Sequence, residues 1–304
     1  MRAASGRCCA VMAVVIGCLA MYTAWAEARP VRVMLTNDDG YQAPGLAAVR
    51  GALEAAGFDV TVVAPLRQQS GSGARITLGE MAVVAHDRAT WSVDGSPADS
   101  AAYGLTEVLK QRAPDVVVSG ANLGQNLGAN VVSSGTVGAA VMAAQLGVPA
   151  IAVSVGLDMA QAKAQPTPFP DTVAAYPLAA DFVARLITRL AAAAGGGPVL
   201  PANTLLNINV PARPAEQIKG VRLAPLAQHG GFRVVYRHSA EPARVLSSIE
   251  VEPAGANEVE ADAGWFARDY ITVSVLRADW NAASVDSTAL RTRLGDLESL
   301  RGAP

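Results

Sequence analysis

One short stretch limits the folds open to this chain: Val31-Arg32-Val33-Met34-Leu35 runs straight into Thr36-Asn37-Asp38-Asp39-Gly40. A brief apolar run rich in β-branched residues reads as a buried parallel strand, and its carboxyl end opens on two adjacent carboxylates. There the two acids repel each other and lose hydration, a cost that a bound divalent cation offsets. Gly40 permits a sharp turn and Pro44 marks a helix start, so the stretch reads as a strand-loop-helix unit offering oxygen ligands to a hard metal ion. The competing reading is an Asx-type turn with solvated aspartates.

The same alternation of short strand and helix continues downstream. Leu46, Val49 and Leu53 recur at helical spacing, Gly57 closes that helix, and a second strand spans 60–63. Its exit loop, 64–71, carries Arg67, Gln68, Gln69 and Ser70 to the same sheet edge as the aspartates. Residues 81–85 and 90–93 read as a short antiparallel pair inserted outside the core. Ser96-Pro97-Ala98-Asp99 supplies an N-cap, a first-turn proline and an acid for a helix to about Leu109. A third strand at 115–119 leads into the Gly- and Asn-rich loop 119–128, and Ser133-Ser134-Gly135-Thr136 opens a helix through Leu146. Hydroxyls and free amides at a helix N-terminus suit a phosphate.

A strand at 150–154, a polar loop at 158–170, a helix at 179–194 and a strand at 205–210 complete the expected core. Asn207 and Asn209, on one alternating face of that last strand, read as structural. Beyond Pro211 the pattern shifts to short β segments at 220–223, 232–236, 246–251 and 270–276, expected as hairpins, and an amphipathic helix at 287–297. The whole is α/β with a mostly parallel sheet in one domain.

With 304 residues and a formal charge of −2, the chain suits one large α/β domain and lacks the basic surface that a nucleic-acid polymer requires as main partner. Residues 1–26 read as a secretory leader: Arg2 and Arg7 precede an apolar run, and Ala24-Trp25-Ala26 fits a cleavage site. The expected mature chain is exported, to a periplasm or beyond, with no transmembrane segment. Cys8, Cys9 and Cys18 all lie in the leader, so the mature chain has neither a disulfide framework nor a thiolate metal site. Lipid anchoring at Cys18 is the lesser alternative, because the residues after it are apolar.

Three loops, carrying Asp38 and Asp39, Ser70, and Asn122, thus leave three parallel strands at the edge where open α/β sheets bind ligands. Their donors are all oxygens, which favours magnesium, manganese or calcium over zinc. His229, His86 and His238 fall outside these loops and read as loop, interface or surface residues.

The segments LTNDDG from Leu35, APLRQQSG from Ala64, DGSPAD from Asp94 and SGANLG from Ser119 resemble, in order, motifs of the SurE family of survival proteins. Ser134-Gly135-Thr136, Leu206-Asn207-Ile208-Asn209-Val210-Pro211 and Asp269-Tyr270-Ile271-Thr272-Val273 continue the resemblance, which covers nearly all of the chain after the leader. It implies a Rossmann-like three-layer core within a single domain at 30–304, where 212–304 holds a C-terminal β-hairpin extension and terminal helix used in a homodimer or homotetramer. It implies a metal-dependent 5'(3')-nucleotidase that hydrolyses nucleoside monophosphates to nucleoside and orthophosphate. One Mg2+ or Mn2+ per subunit, or Ca2+ in a crystal, would be held by Asp38, Asp39, Ser70 and Asn122. Asn37, Asn126, Ser134, Gly135 and Thr136 would bind phosphate or substrate. The chain departs from the family pattern at Leu66, where an acid is common, and at Ser133, where an aromatic is common; both positions bear on base and sugar recognition.

The expected mechanism is metal-assisted attack of water on phosphorus. Asp38 is favoured as proton acceptor, while ligand and nucleophile roles for the pair stay open. A noncatalytic exported protein that captures a phosphorylated or nucleoside ligand is the alternative; without a cation, its paired acids would repel the anion. A dinucleotide-dependent oxidoreductase lacks the glycine fingerprint after the first strand.

Overall fold

The computed structural model describes residues 29–157, 169–241, 243–251, 258–279 and 292–293. The leader at 1–26, residues 158–168 of the expected loop and most of the helix expected at 287–297 lie outside them. Everything below concerns the body that begins at Val31.

Strand β1 (Arg32–Thr36) sits near the middle of a nine-stranded sheet, and its side chains divide strictly by parity. Val33 and Leu35 pack with Leu46, Val49 and Leu53 of α1 (Pro44–Ala55) and with Val183 and Ile187 of α4 (Pro170–Ala194). Met34 faces the other way, into Ala101 of α2 (Pro97–Tyr103) and Val137, Ala140 and Ala144 of α3 (Gly135–Gln145). Two buried faces explain why the strand reads as apolar throughout, and they make the three-layer sandwich.

The chain builds outward from β1 in two directions. On one side lie β2 (Asp59–Pro65), then β4 (Thr90–Val93) and β3 (Val83–Ala85); on the other lie β5 (Val116–Leu123), β6 (Ala150–Val155) and β7 (Thr204–Val210). From β4 to β7 every pairing is parallel. Strand β11 (Tyr270–Arg277) then pairs antiparallel with β7 and carries β8 (Gly220–Leu223) at the far edge. The strand order reverses between β1 and β5, which opens a crevice at their carboxyl ends. Strands β9 (Phe232–His238) and β10 (Val245–Val251) form a separate antiparallel hairpin, as the sequence led us to expect.

Several elements differ from the sequence reading. The segments at 220–223 and 270–276, expected as hairpins beyond the core, join the main sheet, where β11 pairs antiparallel with β7 and in parallel with β8. The pair at 81–85 and 90–93 is not an insertion outside the core: β4 pairs in parallel with β2, and Val93 is fully buried. The helix from Pro97 passes at Gly104 into a π-helical turn through Val108. Helix α4 begins at Pro170 rather than 179, running through Pro177. Burial of Thr172, Ala175 and Tyr176, and the bond from Thr172 Oγ1 to the Gly156 carbonyl at 2.7 Å, hold its first turns despite the missing donor. Strand β5 continues to Leu123, four residues into the expected loop.

Asp99 is the clamp between the second layer and the loop after β2. Its carboxylate accepts from Ser96 N at 2.8 Å, Thr77 N at 2.9 Å and Thr77 Oγ1 at 2.7 Å. Ser96 Oγ accepts from Asp99 N at 3.0 Å and donates to the Arg75 carbonyl at 2.5 Å. The capping box that starts α2 therefore also pins residues 75–77. Burial pushes the Asp99 carboxyl up, but the bonds from Thr77 and Ser96 outweigh it and hold the group below its ordinary range. Asp99→Ala, which strands these donors, is expected to cost about 1–3 kcal/mol in urea unfolding. The wild-type advantage is complete above the ordinary carboxylate range and disappears as pH falls through the lowered value; an unchanged midpoint would remove Asp99 as a clamp.

Candidate active site

The chemistry gathers where the two halves of the sheet part. Asp38, the second residue after β1, is 3% exposed, and Asp39 beside it is half-buried. The Thr136 hydroxyl donates to Asp38 Oδ1 at 2.7 Å, and the Leu123 amide, at the end of β5, donates to Asp39 Oδ2 at 2.9 Å. Each acid of the pair is thus tied to a different element. No salt bridge reaches either one among the described residues. Burial pushes the Asp38 carboxyl up, and burial with the neighbouring Asp38 charge pushes Asp39 up to about 7.

Oxygens collect around the pair. Asn37 Nδ2 closes the turn by donating to the Gly40 carbonyl at 2.9 Å, and Asn122 Nδ2 donates to the Gly124 carbonyl at 2.6 Å. Their carbonyl oxygens, Asn37 Oδ1 and Asn122 Oδ1, are buried with no hydrogen-bond partner. Asn122 is brought to this position by a bulge: β5 advances from Ser119 to Asn122 while its neighbour β6 advances only from Ala152 to Ser154. Gly120 makes the bulge possible, with φ +134° and no room for a side chain, since a Cβ would stand 2.2 Å from the Val153 carbonyl oxygen.

Paired acids on the loop after β1, with unpartnered amide oxygens on that loop and at the end of β5, make a donor set of oxygens that fits a hard divalent ion. Among the described residues no group of three or more His, Cys, Asp or Glu side chains could hold a metal. A cation here would therefore depend on the two carboxylates together with amide and hydroxyl oxygens.

The remaining sequence-derived residues are placed as follows. Ser70 lies on the exposed loop after β2, where its Oγ accepts from Gln68 Nε2 at 2.6 Å; that loop is anchored by Gln69 N donating to the Asp38 carbonyl at 2.7 Å. Ser134 caps α3 by accepting from Val137 N at 3.1 Å, and Gly135 begins the helix against Asp38. Asn126 is fixed by its backbone: Asn209 Oδ1 accepts from its N at 2.7 Å, and its carbonyl accepts from Asn207 Nδ2 at 2.8 Å and Asn209 Nδ2 at 3.0 Å. Its side chain donates to Ser154 Oγ at 2.9 Å.

Two contributors carry no clear mark in the sequence. Asp262, opening α5 (Asp262–Phe266), accepts from the amides of Gly128 at 2.9 Å, Ala227 at 2.8 Å and Ala263 at 2.8 Å, so it fastens the end of the Asn126 loop. Tyr176 on α4 is 3% exposed, and its phenol is pushed up by burial and then by the charge of Asp39. Neither belongs to a local pattern; each meets the site only through the fold.

The chain is similar to known proteins in both sequence and fold. The family model described as survival protein SurE matches residues 33–231. The 5'-nucleotidase SurE of Legionella pneumophila (strain Lens) is 38% identical over 239 residues, covering 77% of this chain and 83% of that protein. The 5'-nucleotidase SurE of Nitratidesulfovibrio vulgaris (strain DP4) is 36% identical over 280 residues, covering 88% and 100%. The crystal structure of the SurE protein from Aquifex aeolicus aligns with a TM-score of 0.70 at 28% identity, covering 87% of this chain and 100% of that one.

The raised Asp39 carboxyl makes a signed prediction. The folded chain holds this proton more tightly than the unfolded chain does, so its contribution to metal-free stability falls as pH rises from 3.8 through about 7. The loss is on the order of a few kcal/mol. Asp39→Asn should flatten the pH dependence of the metal-free melting temperature between pH 5 and 8; an equally steep variant would rule out Asp39 as its source.

Proposed function

We propose that this chain, which belongs to the SurE family of survival proteins, is a divalent-metal-dependent phosphomonoesterase that releases orthophosphate from nucleoside 5'(3')-monophosphates. The observation that carries the reading is the pair of buried, unbridged carboxylates beside the start of a helix. Two acids alone would repel a phosphate, whereas two acids with a cation, next to the positive end of α3, attract one.

In this reading Asp38, Asp39, Asn122 and Ser70 hold one Mg2+ or Mn2+, and the orphaned Asn122 carbonyl is the donor best explained by it. The ion supplies Lewis-acid polarisation of the phosphoryl group and makes water more acidic. The protein does the rest. Asn126 and the Ser134-Gly135-Thr136 turn seat the phosphoryl group, with α3 offering its first-turn amides as negative charge builds. Asp38, oriented by the Thr136 hydroxyl, would take one proton from the attacking water as the water oxygen bonds to phosphorus and the bond from phosphorus to the nucleoside oxygen breaks, and that proton would pass to the departing nucleoside oxygen.

Assembly and export belong to the same proposal. One face of the β9–β10 hairpin carries Val234, Tyr236, Val245 and Ile249, all more than half exposed, while Arg233 and Arg237 bridge Glu250 on the other. An exposed apolar face of this kind suits contact between subunits in a homodimer or homotetramer. The leader at 1–26 would direct the enzyme out of the cytoplasm; no described helix is long and apolar enough to cross a membrane.

Purified protein given nucleoside monophosphates and other phosphoesters should release orthophosphate with Mn2+ or Mg2+, and EDTA should stop it. Asp39→Asn should lower the rate at least about a hundredfold with the fold retained by circular dichroism. Tight nucleotide binding without turnover would instead make this a capture protein. Separately, Tyr236→Asp with Ile249→Asp should reduce the mass measured by light scattering; an unchanged assembly would remove the hairpin from the interface.

A further inference from the structure

One buried hydroxyl beside the start of α3 lies just outside the motif residues. Ser72 Oγ is buried and has no hydrogen-bond partner. It lies against the start of α3: a Cβ built on Gly135 would stand 2.7 Å from Ser72 Oγ, 2.9 Å from Asp38 Cβ and 3.0 Å from Asp38 Oδ2. Ser72 and Asp38 thus both close on the Gly135 backbone at the start of α3, leaving no room there for a side chain.

The arrangement is built rather than incidental. Gly73 N donates to the Ser133 carbonyl at 3.0 Å, and Gly138 of α3 approaches the Gly73 carbonyl so closely that a Cβ there would stand 2.0 Å from it. From the other side the Asp99 clamp fixes residues 75–77. The backbone on either side of Ser72 is therefore held, by α3 at Gly73 and by the Asp99 clamp at 75–77.

Each neighbouring hydroxyl already has a bond, two as donors and two as acceptors. Thr136 gives its proton to Asp38, Ser134 accepts from Val137, Ser133 donates to the Asn130 carbonyl, and Ser70 accepts from Gln68. Ser72 alone among these five makes no bond; the Thr36 and Ser119 hydroxyls are also unpartnered, but they lie within the paired strands β1 and β5 rather than on a loop at the helix start. An unsatisfied buried hydroxyl is costly unless something else binds it. The orphaned amide oxygens of Asn37 and Asn122 are acceptors that suit a cation. Ser72 instead offers a donor at the helix end where an anion sits.

We propose that Ser72 donates its hydroxyl proton to a phosphoryl oxygen of the substrate, and so is a substrate-contacting residue distinct from the metal ligands. The inference rests on the phosphatase reading above for the identity of the anion. Its test does not need turnover.

The dissociation constant of inorganic phosphate, with Mn2+ present, is measured by isothermal titration for wild type, Ser72→Ala and Ser72→Thr. Mn2+ affinity is read by electron paramagnetic resonance and stability by thermal melting. Ser72→Ala should weaken phosphate about tenfold, the size expected for one hydrogen bond to a charged group, and raise KM for a nucleoside monophosphate similarly. Mn2+ affinity should be unchanged and the melting temperature unchanged or higher, since the variant removes an unsatisfied buried group. Ser72→Thr, which keeps a hydroxyl, should recover most of the phosphate affinity. A phosphate constant within twofold of wild type in Ser72→Ala overturns the proposal. So does weakened Mn2+ binding with phosphate unaffected, or a wild-type protein that binds no phosphate. If phosphate weakens as expected but no nucleotide is hydrolysed by wild type, Ser72 stands and the nucleotidase reading falls.

Discussion

Two carboxyl groups side by side where β1 leaves the sheet set the terms for the rest of the molecule. Asp38 is nearly inaccessible, and Asp39 is pushed to a neutral-range value by burial and by Asp38 itself. A fold tolerates such a pair only if neighbours hold both carboxylates in place and something positive completes the site. Thr136 and the Leu123 amide supply the first requirement. The acceptor oxygens left over around them describe the second.

Position follows from topology. Chain order places β1 and β5 side by side at the point where the sheet changes direction, so their exits diverge and leave a crevice. The bulge after Ser119 turns Asn122 into that crevice, and α3 delivers Gly135 against Asp38. Long-range clamps then keep the loops from closing over an incomplete charge cluster: Asp99 for the loop after β2, Asn207 and Asn209 for Asn126, and Asp262 for Gly128.

Much of this was legible before any coordinates. The β1 run, its acid pair, the α2 capping box and the parallel strands announce themselves through local chemistry, and local chemistry is what a sequence displays. The asparagines at 207 and 209 were read as structural, and their bonds to Asn126 show what they support. Other features depend on distant partners. Pro177 signals a helix break unless the burial of Tyr176 and the Thr172 bond are known. The 90–93 strand looks peripheral until β2 is seen beside it. Ser72 sits one residue past the recognisable APLRQQSG segment, and only the packing of Gly73 on α3 reveals where its hydroxyl lies.

The fastening at Gly128 reaches further than the catalytic loop. Asp262 joins Gly128 to Ala227, and Asn130 Nδ2 bonds both the Gly230 carbonyl and the Phe232 carbonyl at 3.0 Å. Phe232 is the root of the hairpin arm, so the arm pivots on the same joint that secures the peptide carrying Asn126. A rigid arm is a lever, and a neighbour that grips its tip applies torque to that joint. The hairpin arm and the peptide carrying Asn126 thereby share a mechanical linkage a few peptide units long.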